Sequence, residues 1–471
     1  MIDLSAEQVA AATGGRLIGD PQTVVTGPVV SDSRQVVPGA LFAALPGDQV
    51  DGHEYAERAV ATGAVLVLAT RAIEGPDGPL PVVVVPDVTV ALGDLARSVL
   101  GRLRSAGDIQ VVAITGSVGK TTTKDVLAQV LRPAGPTVWP EASFNNEIGL
   151  PLTVLRADAT TRFLVLEMGA SGIGHIDYLT AIARPDVAVV LVVGSAHLGE
   201  FGGIDAVARA KAEIVTGLVP GGTAVLNGDD QRVAAMAAVA PGRVVLFGEE
   251  AAAAVRAVQV RLDDEGRARF DLTTPVGTAP VHLRLVGEHH VHNALAAAAA
   301  ALELGLDLAD VAEALTTAEA LSPHRMHVTE RPDGVTVIDD SYNANPESMR
   351  AALKALAVRS AGRRRTIAVL GEMLELGPDA VEAHDAIGRL AVRLNISRLV
   401  VVGDGARAMH TGAFQEGSWG QESRLVEDVE AAATWLDQEL TEGDVVLVKS
   451  SHGAGLWRLG DRLAAGGADA R

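Results

Sequence analysis

The 471-residue sequence predicts an α/β fold divided into three domains, with a parallel sheet in the central one. Short valine-rich segments alternate with Ala-, Leu- and Arg-rich helical segments, a pattern typical of βαβ units. The chain is also too long for one hydrophobic core, because domains average roughly 150 residues. Breaks in the pattern at Gly107-Asp108 and Ser322-Pro323 place the predicted domains at 1–107, 108–322 and 323–471.

The composition is that of a globular protein with aliphatic cores. Hydrophobic residues make up 48% of the chain and charged residues 21%, but aromatic residues only 3%. Val, Leu, Ile and Ala must therefore fill the interior. In the first domain we expect strands at 41–45, 65–69 and 82–85 and a helix over 91–103.

The central domain is predicted to begin with a strand at 109–114, a glycine-rich loop and a helix over 121–131. Further strands are expected at 163–166, 187–193 and 223–226, and helices over 292–304 and 308–320 close the domain. The third domain has predicted strands at 335–338, 367–370, 399–402 and 445–448 with helices between them. This order predicts a smaller, Rossmann-like α/β domain.

The glycine-rich loop of the central domain has the properties of a phosphate site. Successive backbone N–H groups and the N-terminus of the following helix can surround phosphate oxygens. Lys120 is expected at the β- and γ-phosphates and Thr121 at Mg²⁺. The spacing is shorter than the general P-loop pattern, because Ile114 stands where the first glycine would be, so an ordinary glycine-rich turn is the alternative. The predicted ATP-binding residues of the loop are Thr115, Gly116, Ser117, Val118, Gly119, Lys120, Thr121 and Thr122.

Two polar residues, Glu167 and His197, come at the ends of other predicted central strands. Ligands of open α/β sheets bind beyond the carboxyl ends of the strands, so both residues are expected on the same rim as the glycine-rich loop. A carboxylate and a neutral imidazole can both bind a divalent ion. A capping or surface acid and an ordinary loop histidine are the alternatives.

Lys211 occupies an unusual place for a lysine. It lies on the apolar face of a predicted helix over 204–218, four residues after Val207 and three before Ile214. One explanation is a side chain whose stem lies on apolar surface while its amine reaches water. The other is a lysine held in a site, where loss of hydration lowers its pKa and makes it reactive.

Charge and composition exclude several classes of function. The formal net charge is −20, and Arg363 to Arg365 is the only compact basic run, which argues against nucleic-acid binding. Zero cysteines exclude disulfides and thiol chemistry. No apolar segment reaches membrane-spanning length, and Met1-Ile2-Asp3 does not begin a signal peptide, so we expect a cytoplasmic protein with no membrane insertion.

The chain resembles the Mur ligase family through strings that are spread over all three predicted domains. The strings are SDSR at 31–34, DGH at 51–53, TGSVGKTTTK at 115–124, FNNEIGLPLTVL at 144–155, EMG at 167–169, AHLGEFG at 196–202, ARAKAEI at 208–214, HNALAA at 292–297, DDSYNANP at 339–346 and GEMLELG at 371–377. The resemblance implies an ATP- and Mg²⁺-dependent ligase that makes an amide bond through an acyl phosphate. Within the family, it points to the branch that joins D-alanyl-D-alanine to UDP-N-acetylmuramoyl-tripeptide.

The resemblance also implies a division of labour and a set of site residues. The first domain is expected to bind the UDP-muramoyl substrate, the central domain ATP and the third domain the dipeptide, in a chain that acts as a monomer. The residues expected to act in catalysis are Lys120, Lys211, His197 and Arg325. Those expected at two Mg²⁺ ions are Thr121, Glu167, His197 and Lys211, the last as a carbamate. Asn293, Arg325 and Asp340 match nucleotide-contacting positions, while Ser33, Arg34, Asn145 and Asn146 match substrate-binding positions.

Read without the family, several of these residues have structural explanations. Asn145-Asn146 could cap a helix, Arg325 and Asp340 could form a surface ion pair, and Ser31 to Arg34 could form a turn. The chain also departs from common family patterns at His289-His290 and at the string KSSH, 449–452. The rival functions are a sister ligase that adds the third peptide residue, a folylpolyglutamate-type ligase and a nucleotide-dependent switch. The diaminopimelate-binding string DNPR of the third-residue ligase is absent.

Overall fold

A computed structural model describes residues 1–47, 50–194, 202–250, 252–360, 362–417 and 422–466. In this part of the chain the larger strands form three sheets that follow one another in sequence. Strands and helices alternate within each of them, as the valine-rich segments predict. The fold is the expected three-part α/β architecture.

The N-terminal sheet has five strands in the order β2-β9-β6-β5-β4, of which β9, β6, β5 and β4 are parallel. Its helix α3 is long and amphipathic, begins after the N-cap Asp87 and buries one apolar face. The strands of this part are β1 Leu4–Ser5, β2 Arg16–Ile18, β3 Val24–Val25, β4 Val29–Val30, β5 Leu41–Ala43, β6 Leu66–Ala69, β7 Glu74–Gly75, β8 Gly78–Pro79 and β9 Val82–Val84. The helices are α1 Ala6–Thr13, α2 Ala56–Thr62 and α3 Val88–Ala106.

The central sheet has nine strands in the order β11-β12-β10-β13-β14-β15-β16-β17-β18. The strands are β10 Gln110–Thr115, β11 Thr137–Val138, β12 Phe163–Glu167, β13 Val187–Val190, β14 Thr223–Asn227, β15 Arg243–Gly248, β16 Val255–Leu262, β17 Arg267–Thr274 and β18 Gly277–Val286. The helices are α4 Lys120–Leu131, α5 Gly149–Val154, α6 His175–Ile182, α7 Ile204–Thr216, α8 Gln231–Ala235, α9 His290–Glu303 and α10 Leu308–Thr317.

The central sheet is parallel from β11 to β16, as expected for a nucleotide-binding sheet. Beyond this, β17 pairs antiparallel with both β16 and β18. The sequence analysis does not predict this extension. Its strands alternate buried with more exposed residues because one face is only partly covered, whereas the valine-rich runs used to predict strands are typical of those buried on both faces.

The C-terminal sheet has six strands in the order β19-β20-β24-β21-β22-β23, and all except β19 are parallel. The strands are β19 His327–Glu330, β20 Thr336–Asp339, β21 Thr366–Leu370, β22 Arg398–Val402, β23 Ser423–Val426 and β24 Val445–Lys449. The helices are α11 Pro346–Ser360, α12 Ala380–Arg393, α13 Arg407–Glu416, α14 Val429–Glu439 and α15 Trp457–Ala464.

Apolar cores cover both faces of the central sheet. One core joins the sheet to α3, α5, α6 and α7, and therefore unites the N-terminal and central parts. The other lies under α4, α9 and α10. The alanines from Ala294 to Ala301 are all buried, and their small side chains let α9 pack closely on α4. None of the described helices is both long and apolar enough to cross a membrane.

The register of the central strands sets the position of the site. Strand β10 lies between β12 and β13, with Ile114 opposite Glu167 and Thr115 opposite Val190. The loop after β10 therefore emerges beside the carboxyl ends of both neighbours. Side chains that follow these strands meet at one edge of the sheet.

Candidate active site

A cleft of about 730 Å³ lies at this edge of the central sheet and extends to the C-terminal sheet. Its lining combines the glycine-rich loop and the ends of central strands with residues of the segments that begin at Arg325, Asp340 and Lys449. A cavity of this size with convergent polar groups is the usual form of a small-molecule site.

The glycine-rich loop is held in shape by its neighbours. Ser117 N donates to Val192 O at 2.8 Å, and Gly194 N donates to Ser117 Oγ at 2.9 Å. The buried Thr115 hydroxyl donates to Met168 O at 2.8 Å, so this side chain supports the loop from behind. The residues from Gly116 to Thr122 all line the cleft.

At two positions of the loop, only glycine fits in the available space. A Cβ at Gly116 would lie 2.8 Å from Cβ of Leu191, and one at Gly119 would lie 2.5 Å from Oδ1 of Asn293. Gly119 also has a left-handed φ of 85°. The loop can therefore lie flat against the sheet edge and expose its backbone N–H groups to the cleft.

Lys120 lies at the start of α4 and crosses the loop. Its Nζ donates to Gly116 O at 2.8 Å, which keeps the ammonium at the mouth of the phosphate cradle. Loss of hydration in the cleft lowers the pKa of Lys120, and the Glu167 carboxylate partly opposes this shift. A bound anionic phosphate would stabilise the Lys120 ammonium and so replace the hydration that it loses in the cleft.

The predicted first metal position is built from hard oxygen atoms. Thr121 Oγ1 donates to Glu167 Oε2 at 2.9 Å, and Ser143 Oγ lies 2.8 Å from Thr121 Oγ1. Asn145 Nδ2 donates to Glu167 Oε1 at 2.8 Å and fixes the carboxylate. A hydroxyl and a carboxylate at this separation are ligands suited to Mg²⁺.

Lys211 is buried on the face of α7 that turns toward this edge. Only 4% of the residue is exposed, it lines the cleft, and its amine has no hydrogen-bond partner among the described residues. Burial, with a contribution from Lys120, holds the pKa of Lys211 well below its ordinary value. Lys211 therefore combines a place in the cleft lining with a side chain that is almost fully buried. The third predicted member of this group, His197, lies outside the described residues.

Arg325 and Asp340 contact the cleft from the C-terminal side. Arg325 Nη2 donates to Thr121 Oγ1 at 3.3 Å and to Ser143 Oγ at 3.2 Å. Its guanidinium lies 4.2 Å from the ring centre of Tyr342. Arg325 and Asp340 do not form the surface ion pair that was the alternative, because Asp340 is buried and pairs with Lys449 at 2.6 Å.

Asn293 lies on the opposite side of the loop. Its Nδ2 contacts His290 Nδ1 at 3.1 Å, while its Oδ1 faces Gly119. His289 and His290 are both held neutral, because burial lowers the pKa of His289 to about 4 and that of His290 well below its ordinary value. This end of the cleft thus has two neutral imidazoles beside an amide.

The four predicted substrate-binding residues occupy different places. Asn145 lines the cleft, and Asn146 also lines it but uses its Oδ1 to accept from Gly149 N at 2.9 Å, the helix-capping contact that was the alternative. Ser33 and Arg34 lie in the N-terminal part, in a turn whose Arg34 side chain pairs with Asp32 at 2.7 Å. They do not line the cleft.

Several cleft residues are not predicted by the sequence analysis. Asn227 and Phe247 end or nearly end β14 and β15, so the rule that ligands bind beyond strand ends would find them. Ser143 has no such signal, and Tyr342 has none beyond its place in the string DDSYNANP. They reach the site only through contacts between residues far apart in the chain.

The fold and the cleft define a P-loop nucleotide-binding protein made of three α/β parts. Residues 114–301 match the family model for the Mur ligase middle domain, 324–452 that for the Mur ligase glutamate ligase domain, and 28–99 that for the Mur ligase family catalytic domain. The chain belongs to the Mur ligase family.

Three similar proteins align with nearly the whole chain. The UDP-N-acetylmuramoyl-tripeptide–D-alanyl-D-alanine ligase of Mycobacterium bovis is 48% identical over 99% of this chain and 98% of its own length. The crystal structure of MurF from Acinetobacter baumannii has a TM-score of 0.87 at 33% identity and covers 99% of both chains. MurF ligase from Thermotoga maritima in complex with ADP has a TM-score of 0.78 at 30% identity, over 94% of this chain and 98% of its own.

Proposed function

We propose that the chain joins D-alanyl-D-alanine to UDP-N-acetylmuramoyl-tripeptide, with conversion of ATP to ADP and phosphate. The product is the UDP-muramoyl-pentapeptide used to build peptidoglycan. The observation that carries the proposal is the cleft lined by Lys120, Thr121 and Arg325, in which the side chain of Arg325 reaches the Thr121 hydroxyl from the C-terminal side. The full-length similarity to ligases of this name supports the substrate assignment.

In the first step, an oxygen of the tripeptide carboxylate attacks the γ-phosphorus of ATP, and ADP leaves with the bond electrons. Two anions must approach each other, so the barrier depends on groups that neutralise the crowded oxygens. Lys120 at the loop and Arg325 from the opposite wall are placed for this role. The backbone N–H groups of the loop hold the phosphates in line.

The site fits Mg²⁺ at Thr121 and Glu167, whose oxygen atoms lie together at the end of β12. When bound there, the ion would shield the phosphate charges and orient the γ-phosphate. We further propose that Lys211 reacts with CO₂, forming an N–C bond and releasing a proton, to give a carbamate. This anion would stand with Glu167 and His197 at a second ion. This is supported by the position of Lys211, which is buried in the lining of the cleft, and by its pKa, which burial holds well below the ordinary value.

In the second step, the amine of D-alanyl-D-alanine attacks the acyl phosphate, and phosphate leaves from the tetrahedral intermediate. Orientation of the two reactants can supply on the order of 7 to 11 kcal/mol of the barrier reduction. The cleft lies between the central and C-terminal sheets, so the C-terminal part is placed to deliver the dipeptide. Ser33 and Arg34 are proposed to hold the uridine end of the other substrate in the N-terminal part.

We place this reaction in the cytoplasm and in a single chain. The net charge of −20 argues against nucleic acid as a partner, and because it also repels small anionic substrates, local cations must hold them. The sister ligase that adds the third residue is the alternative, and free amino acids would be its second substrate.

An assay that omits one component at a time tests the proposal. With ATP, Mg²⁺, UDP-N-acetylmuramoyl-tripeptide and D-alanyl-D-alanine present, ADP and pentapeptide should form in equal amounts, measured by coupled absorbance and mass spectrometry. Omission of the dipeptide should abolish both products. ADP release that does not depend on the dipeptide, or equal rates with free lysine or diaminopimelate on a UDP-muramoyl dipeptide, would contradict the assignment.

A further inference from the structure

The segment that carries Arg325 has an unusual backbone. It links the central and C-terminal sheets, and the residues on both sides of the arginine are left-handed: φ is 58° at His324 and 51° at Met326. Neither residue is glycine, and left-handed non-glycine residues persist only where surrounding contacts hold them.

Two successive aspartates at the end of β20 supply these contacts. His324 Nδ1 donates to Asp339 Oδ2 at 2.7 Å, and Met326 N donates to Asp340 Oδ1 at 3.1 Å. Asp339 is itself fixed, because its Oδ1 accepts from Ser341 N at 3.1 Å and from the Ser341 hydroxyl at 2.5 Å. Each neighbour of Arg325 is thus tied to its own carboxylate.

The second carboxylate is anchored from behind by a buried lysine. Lys449 Nζ donates to Asp340 Oδ2 at 2.6 Å and to Asn343 O at 2.8 Å, and only 1% of the residue is exposed. All of these partners belong to the C-terminal part of the chain. The carboxylates are therefore rigid with respect to the C-terminal sheet.

His324 is enclosed on its remaining sides by α15. Its Nε2 lies 3.7 Å from Asp461 Oδ1, and the edge of its ring faces Trp457 at a centroid distance of 6.3 Å. Gly460 lets this helix approach, because a Cβ there would lie 2.3 Å from Asp339 Oδ2. These contacts hold the His324 imidazole in one position, and that position fixes the backbone turn before Arg325.

The geometry points to His324 as a positioning residue: held by Asp339, it sets the backbone that directs the Arg325 guanidinium toward Thr121 and the γ-phosphate of bound ATP. The inference rests on the proposed ATP-dependent function. It gives the His324–Asp339 pair a role that touches no substrate atom and acts through Arg325 alone. Because Asp339 belongs to the C-terminal part, the position of the Arg325 guanidinium in the cleft also depends on the orientation of that part.

A double-mutant cycle tests this role. The variants are His324→Asn, which keeps a residue that tolerates left-handed φ, Arg325→Ala and the double variant. Calorimetry with Mg²⁺ measures the Kd of ADP and of the non-hydrolysable imido analogue of ATP, and their ratio reports the γ-phosphate contact. We expect His324→Asn to lower the preference for the ATP analogue on the order of tenfold. In the Arg325→Ala background it should cause no further change.

Controls separate positioning from loss of structure. His327→Asn makes the same chemical change on an exposed side chain three residues away and should leave the ratio at the wild-type value. Asp339→Asn should lower the ratio in the same direction as His324→Asn, and thermal unfolding reports whether each variant is folded.

Two outcomes have different meanings. If Arg325→Ala lowers the ratio but His324→Asn does not, or if His324→Asn causes the same loss with and without Arg325, the inference about His324 is wrong. If Arg325→Ala itself leaves the ratio unchanged, the proposed contact between Arg325 and the γ-phosphate fails first.

Discussion

Three lysines are buried in the part of the chain that the structure describes, and their surroundings differ. Lys124 lies 2.7 Å from the Asp125 carboxylate and Lys449 lies 2.6 Å from that of Asp340. Lys211 has no such carboxylate among the described residues. Burial of an ammonium without a counter-charge is costly, and burial lowers the pKa of Lys211. Because of this contrast, we expect Lys211 to be the reactive lysine among the three.

The carbamate hypothesis for Lys211 leads to a rescue prediction. Lys211→Ala should lower kcat by about 100-fold or more, because a metal ligand and its charge are lost. Small carboxylic acids such as acetate should partly restore the rate by occupying the space of the missing carbamate. Steady-state kinetics with and without the acid provides the measurement.

The matched control is Lys354→Ala, an exposed lysine on α11, which should retain the wild-type rate and show no effect of the acid. An active Lys211→Ala variant would remove Lys211 from the site. If the acid raised the rates of Lys211→Ala and Lys354→Ala by the same factor, it would act at a place other than the cavity left by Lys211.

At the residue scale, the sequence predicts a site residue where its position alone carries information. Lys211 is found from helical periodicity, and Glu167 from its place at a strand end. His324 and Ser143 are not found, because their roles depend on contacts with Asp339 and Arg325 that only the folded chain creates.

Among the elements, α4 connects the phosphate loop to the domain linker. Its first turn carries Lys120 and Thr121, and one turn later Lys124 Nζ donates to Pro140 O at 2.7 Å and to Ser322 Oγ at 3.3 Å. Asp125 Oδ2 accepts from Ser322 N at 3.0 Å. One short helix therefore holds both the loop and the start of the segment that leads to Arg325.

Removal of Asp125 should destabilise this connection. Asp125→Ala leaves the fully buried Lys124 without its carboxylate and Ser322 N without an acceptor, so we expect a loss of about 3 to 5 kcal/mol in the free energy of unfolding. Urea denaturation followed by circular dichroism measures it. Asp264→Ala, in the exposed β16–β17 turn, should change stability by less than about 0.5 kcal/mol. Similar stability of the two variants would show that the buried pair does not hold the linker.

The elements themselves are predicted unevenly by the sequence. Strands buried on both faces, such as β10 and β21, match their expected positions within a residue or two because a continuous apolar run has one explanation. The antiparallel strands β16 to β18 are not predicted, and the apolar run expected over 187–193 ends as a strand at Val190. The residues after Val190 turn out of the sheet to hold the phosphate loop, a tertiary contact of Ser117.

In the whole molecule, the central and C-terminal parts line one cleft, and the N-terminal part contributes no described residue to its lining. The P-loop and the expected metal ligands belong to the central sheet, and Arg325 is mounted on the C-terminal sheet through Asp339 and Asp340. The proposed uridine end, at Ser33 and Arg34, lies apart in the N-terminal sheet. A protein built this way can bring an anion, a nucleotide and an amine together only when all three parts are correctly oriented.

The central claim is that the tripeptide carboxylate attacks ATP to form an acyl phosphate before the dipeptide amine displaces phosphate. The most direct measurement uses UDP-N-acetylmuramoyl-tripeptide whose terminal carboxylate carries ¹⁸O on both oxygens. After complete reaction with ATP, Mg²⁺ and D-alanyl-D-alanine, mass spectrometry should find one ¹⁸O in the released phosphate and one in the new amide carbonyl. Phosphate without ¹⁸O would contradict the mechanism, because its oxygen would then have come from water.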